Sequence, residues 1–124
     1  MINAFFAIGI GAALGAWSRW GLALLLNSGL IPLGTLVANL LGAYLMGIAI
    51  ATFLHMPNIN TELKLMITTG FLGGLTTFST FSAEAFNLLN RHQYAWAFTH
   101  VMSHVIGSLI MTWLGYLTIQ YFRG

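Results

Sequence analysis

The chain has 124 residues, 58% of them hydrophobic and only 5% charged, whereas soluble domains carry about a quarter charged residues. That balance describes an integral membrane protein, and at roughly 20 apolar residues per span the length accommodates a single transmembrane domain of four helices over 1–124. Four Lys or Arg against two Glu, scattered without a run, leave no nucleic-acid footprint, and the absence of Cys excludes disulfides and thiolate chemistry.

The first predicted helix covers 2–26. It starts without a basic n-region and runs straight into a full-length span, so a cleaved signal peptide is not expected. Gly11 and Gly15 stand in GxxxG spacing beside Ala12 and Ala16; in lipid, small residues let helix backbones approach closely. Arg19 lies between Trp17 and Trp20. It either snorkels to an aromatic belt or places a cation that concentrates anions at a vestibule.

The piece "NSGLIP" at 27–32 separates this helix from a second one over 33–54, a segment with no charge. Asn39 sits one turn from Thr35, and Gly42 and Gly47 continue the series of small residues. A polar group at membrane depth faces protein or a water-filled cavity. Asn39 is therefore either interhelical glue or part of a site.

After "HMPNINTE" at 55–62 comes a third helix over 62–90, interrupted by "GGLTTFSTF" at 73–81. Gly73 and Gly74 weaken a helix, and the hydroxyls of Thr76, Thr77, Ser79 and Thr80 compete for backbone hydrogen bonds. Together they predict a break near the bilayer centre. Non-helical backbone survives there only when enclosed in protein or lining a cavity, so the break itself points to a site. Broken helices of transporters use freed carbonyls to hold cations. Phe78 and Phe81, three apart, share a helix face and either pack or present the positive ring edge to an anion. Glu84 belongs either to the membrane interface or to a buried partner.

"NRHQY" at 90–94 leads into a fourth helix over 94–122, with Ser103 and Gly107 as its small residues. His100, His104, Ser108 and Thr112 follow one another at i+4 and form a slanting polar stripe. The stripe either bonds to a neighbouring helix or lines a wet pathway. His100 and His104 have ligand spacing, but no HExxH arrangement or neighbouring carboxylate in the sequence completes a metal site.

Short loops make neighbouring helices antiparallel, and four spans put Lys64 and Arg123 on one side against Arg91 and Arg19 on the other. The Lys/Arg bias that sets orientation is close to nil, which predicts insertion either way up and a dimer of opposed copies. With no Asp and two distant Glu, acid-base catalysis is not provided for. An apolar lining with ring edges and the neutral donors Asn39, Ser108 and Thr112 suits a small anion better than a large organic substrate.

The runs "PLGTLVA" followed by "NLLGAYLMG", then "GGLTTFSTFSAE" and "HVIGSLIMT", closely resemble the Fluc (CrcB-type) fluoride channels of bacteria, in order and over essentially the whole chain. The resemblance implies an all-α membrane protein of four transmembrane helices, the third broken near the midplane, assembled as an antiparallel dual-topology homodimer in the bacterial plasma membrane. It implies a fluoride-selective channel that exports cytoplasmic fluoride by passive electrodiffusion and gives fluoride resistance. By motif position, the backbone carbonyls of Gly73 and Thr76 would hold a structural Na+ at the dimer interface. Phe78 and Phe81 would face fluoride, Asn39 would be the amide donor beside it, Ser108 and Thr112 the polar track, Glu84 the polar end of a pathway and Arg19 part of the vestibule. Two rivals lie outside this family. A small four-helix multidrug-type exporter shares the length but needs a buried carboxylate in its first helix, where this chain has none; a non-transporting assembly protein would use the polar stripes as glue.

Overall fold

Four apolar stretches separated by short polar pieces become helices joined by tight connections. The computed structural model describes residues 1–29 and 31–123; Leu30, inside the loop expected at 27–32, and the terminal Gly124 lie outside the described residues. The order is α1 (Ile2–Leu26), α2 (Leu33–Leu54), α3 (Thr61–Leu65), a π-helical stretch (Met66–Leu72), the single turn α4 (Gly73–Leu75), α5 (Phe78–Asn90) and α6 (Tyr94–Arg123). No strand occurs among the described residues. α1, α2 and α6 are each long and apolar enough to cross a membrane. The third span comes in two pieces, each shorter than the roughly 20 residues that a crossing requires.

The ends of these elements follow from local chemistry. Asn27 closes α1 with its N–H on the Ala23 carbonyl, and its Oδ1 accepts from Gly34 N at 2.6 Å and Thr35 N at 3.4 Å. One residue thus ends a helix through its backbone and covers orphan donors of the next through its side chain. Asn60 caps α3 by accepting from Leu63 N at 3.1 Å, with Glu62 in the first turn on the favourable side of the helix dipole. α5 ends in paired bonds from His92 N to Leu89 O and Gln93 N to Leu88 O, with His92 at φ 61. This is a Schellman closure that carries His where Gly is usual. It turns the chain within three residues and sets α5 directly against α6.

Packing relies on close backbone approach, as the small residues predict. A Cβ on Gly15 would strike the carbonyl of Phe71 and come within 2.7 Å of Leu75 N, and one on Gly11 would strike the Met66 carbonyl. Gly70 answers from the other side, where a Cβ would lie 2.7 Å from Ile8 O. The same reciprocity joins α2 to α6, with Gly47 against Thr112 and Gly115 against Tyr44. Gly11, Gly15, Gly42, Gly47 and Gly107 are therefore occupied by contacts inside the chain. Leu72 and Leu75 join Ala38 and Ala49 in the buried core between these pairs.

Candidate functional site

The break falls where the Gly and hydroxyl run predicts it. Thr76 (φ −89°, ψ 157°) and Thr77 (φ −150°, ψ 122°) are extended between α4 and α5. Thr77 serves as N-cap of α5, its Oγ1 accepting from Thr80 N at 3.1 Å. Thr76 bonds back, Oγ1 donating to Leu72 O at 2.9 Å.

Two extended peptides set among apolar helices need partners for their polar groups. Asn39 of α2 supplies them. Its Oδ1 accepts from Thr77 N at 2.8 Å, and its Nδ2 donates to Thr77 O at 3.1 Å. A second Nδ2 contact, at 2.9 Å, reaches His104 Nδ1. Because Thr77 N–H fixes which end of the amide is oxygen, His104 Nδ1 must accept, and the neutral ring carries its proton on Nε2. Asn39 is thus a clamp on the break with both amide protons committed.

The clamp diverts hydrogen bonds from the helix ladder. Thr77 N–H would donate to Gly73 O in an unbroken helix, and Thr80 N–H to Thr76 O. Here they go to Asn39 Oδ1 and Thr77 Oγ1. The two carbonyls singled out in the sequence, those of Gly73 and Thr76, are the ones deprived of these partners, and Gly73 is exposed on the surface of the chain. Arg19 reaches the same joint from α1, Nε donating to Gly74 O at 3.1 Å, where a cation complements the carbonyl end of a helix. It neither snorkels free nor lines the cavity described next.

That cavity, of about 450 Å³, lies beside the break and is bounded by Asn39, Thr76, Thr77, Phe78, Phe81, His104, Ser108 and Thr112, among others. Phe78 and Phe81 meet edge to face with centroids 5.5 Å apart. They differ in burial: Phe81 is 7% exposed and Phe78 78%. Thr99 and Thr118 of α6 donate to carbonyls one turn back at 2.9 and 2.8 Å. Ser108 and Thr112 make no side-chain hydrogen bond among the described residues, which leaves their hydroxyls to the cavity. Along the polar stripe on α6, His104 bonds to α2, while Ser108 and Thr112 line the cavity.

Glu84 is not among the residues that line the cavity. Its Oε2 accepts from Thr35 Oγ1 at 2.7 Å, and its Oε1 lies 3.5 Å from His100 Nε2. Phe81 packs on both imidazoles, 5.4 Å from His100 and 4.6 Å from His104 between centroids. The sequence expectation that no carboxylate accompanies the two histidines is corrected here. The α5–α6 turn folds Glu84 onto them, so that ligand atoms of all three residues lie within 4.8 Å of one another.

Comparison with known proteins bears on all of this. The family described as "CrcB-like protein, Camphor Resistance (CrcB)" matches residues 6–116. A protein of Aromatoleum aromaticum named "Fluoride-specific ion channel FluC" is 55% identical over 99% of this chain and 95% of its own length. Proteins of the same name from Nitrosospira multiformis and Pseudomonas putida are 56% and 48% identical, covering 97% and 100% of this chain and 95% and 99% of theirs.

Proposed function

Since the chain belongs to the CrcB-like family, we propose that it is a fluoride-selective ion channel, a multi-pass protein of the bacterial plasma membrane and not an enzyme. The observation that carries this reading is the cavity at the break, lined by Phe78 and Phe81 together with Ser108 and Thr112, whose hydroxyls make no hydrogen bond among the described residues. Fluoride is small and tightly hydrated, and it gives up that shell only where close donors replace it. Ring edges and hydroxyls supply positive character without a fixed charge that would trap the ion. Pore width and donor spacing then exclude chloride. Movement is passive, driven outward by the membrane potential at about 2.3 kcal/mol per elementary charge per 100 mV.

The positions of the other residues support divided roles. Asn39 holds the break open and offers its amide to the anion only at the expense of an existing bond. Glu84, tethered by Thr35, marks the polar end of the pathway. Arg19 contributes positive potential while anchored on Gly74. In the homodimer of opposed copies that the weak charge bias favours, the carbonyls of Gly73 and Thr76 from both protomers would hold Na+. These oxygens fit a hard cation, because the break has deprived them of their ladder partners. Bound there, the ion supplies positive charge that ties two broken helices together. Nothing in the fluoride pathway requires it to move.

Purified protein in liposomes, with valinomycin clamping the potential and ion-selective electrodes recording fluoride and chloride, tests the reading. Rapid fluoride release without matching chloride release is expected. Silence for both ions, in folded dimeric protein, would sink it. Phe81→Ile should cut fluoride flux strongly with the dimer intact; unaltered flux would remove the ring from the pathway.

A further inference from the structure

Beside the pathway, four buried polar atoms have no hydrogen-bond partner among the described residues: Glu84 Oε1, both ring nitrogens of His100, and His104 Nε2, with Glu84 Oε1 and His100 Nε2 approaching only to 3.5 Å. Buried polar groups are as a rule partnered, and four unpartnered atoms on three neighbouring residues call for an ion or ordered water. His100 is 1% exposed and His104 4%, so bulk solvent does not serve them. They belong to three residues, Glu84, His100 and His104, each of which offers one ligand atom within 4.8 Å of those of the other two.

We propose that Glu84, His100 and His104 form a three-ligand site for a divalent first-row transition metal, with Zn2+ as its simplest occupant, and that the bound metal blocks the adjoining pathway. Two imidazoles and one carboxylate are a recurrent donor set for Zn2+, leaving a fourth position open to water or an anion. At bond lengths of about 2.0–2.1 Å, tetrahedral ligands stand roughly 3.4 Å apart. Glu84 Oε1 and His100 Nε2, at 3.5 Å, already have that spacing. The widest pair must close by at most about 1.4 Å, within reach of side-chain rotation on the two packed helices. Thr35, donating to Oε2, orients the carboxylate so that Oε1 faces the rings. The metal enters from the cavity, since His104 forms part of its wall.

Proton balance links the site to the break. A metal takes the lone pair of His104 Nε2 only when that nitrogen has given up its proton, which then resides on Nδ1. Nδ1–H faces the donor Nδ2 of Asn39, so loading the site turns a hydrogen bond into a donor–donor contact. Metal occupancy therefore works against the Asn39 clamp and, by the same linkage, the clamp weakens metal binding.

Only the blocking half depends on the fluoride reading, so binding is measured separately. Zn2+ titrated calorimetrically into metal-free protein in detergent should bind near one equivalent per chain. Glu84→Gln and His100→Ala should each weaken that binding at least tenfold while eluting as the unaltered oligomer. Co2+ should give a tetrahedral visible spectrum that His104→Ala abolishes. Binding that is absent, or indifferent to these substitutions in protein that elutes normally, overturns the site. In liposomes, Zn2+ should lower fluoride efflux at least tenfold; site-dependent binding with undiminished efflux overturns the block. Absence of fluoride efflux from metal-free protein would instead defeat the channel reading and leave the binding result standing.

Discussion

The half of the third span before the break and the half after it are held by different parts of the chain. Residues 61–75 are seated backbone on backbone, with Gly70 and Gly74 against α1 and Gly11 and Gly15 answering. α5 is seated by side chains, with Phe81, Glu84 and Leu88 turned toward α6 and α2. The first arrangement commits the backbone of this half to contact with α1 and lends the cavity only Thr68, Leu72 and Gly73. The second collects the rings, hydroxyls and unpartnered polar atoms beside one cavity. A single span thus divides into a part that fixes position and a part that offers function, and the peptide clamped by Asn39 is the boundary between them.

Substitutions at that boundary should have the largest effect. Asn39→Ala strands the N–H and carbonyl of Thr77, and at about 1–3 kcal/mol per buried unsatisfied group the loss should appear as a steep fall in thermal stability by size-exclusion chromatography, together with loss of fluoride flux. Unchanged stability would mean that something else holds the break. Next comes the backbone-packed half. Gly15→Ala drives a methyl into the Phe71 carbonyl and should cost about 1–3 kcal/mol, while the protein that still folds keeps its fluoride-over-chloride preference. A shift in selectivity would erase the distinction between the two halves.

Smaller effects sharpen the contrast. Thr77→Ala removes the cap on Thr80 N and should cost about 1 kcal/mol, with Thr77→Ser restoring most of it in the same melting assay. Ser108→Ala should leave stability within about 0.5 kcal/mol, since its hydroxyl has no hydrogen-bond partner among the described residues, yet slow fluoride efflux several-fold. A stability loss without a flux change would reassign Ser108 to packing.

Much of the frame was legible because it is written locally. Apolar runs, prolines and short polar pieces set the helices at 2–26 and 33–54 as found, and the Gly and hydroxyl run located the break. The π-helical winding over Met66–Leu72 left no local mark: "MITTGFL" reads as ordinary apolar span. The cluster of Glu84 with His100 and His104 was hidden for another reason. Which face of α5 meets α6 depends on the three-residue turn at 91–93, with His92 at positive φ, and residue spacing cannot be read across such a reversal. Asn39 was recognised as a polar residue in need of a partner, but that its partner is a peptide group is a tertiary fact. Arg19 was ambiguous in the sequence because its acceptor, the Gly74 carbonyl, lies 55 residues away.

The joint between Asn39 and Thr77 is made of an amide and a peptide, and neither carries a net charge. An electric field across the membrane does work only on charge that moves. The field that would propel an anion through the neighbouring space therefore has no direct purchase on this pair, and with the nearby Arg19 tied to the Gly74 carbonyl the joint should keep the same geometry at rest and under full membrane potential. Conduction would then be expected to follow the driving force smoothly, without a voltage threshold. An acidic residue at position 39 would place a charge at this point, and current–voltage curves of Asn39→Asp would reveal whether neutrality is what makes the joint indifferent to voltage.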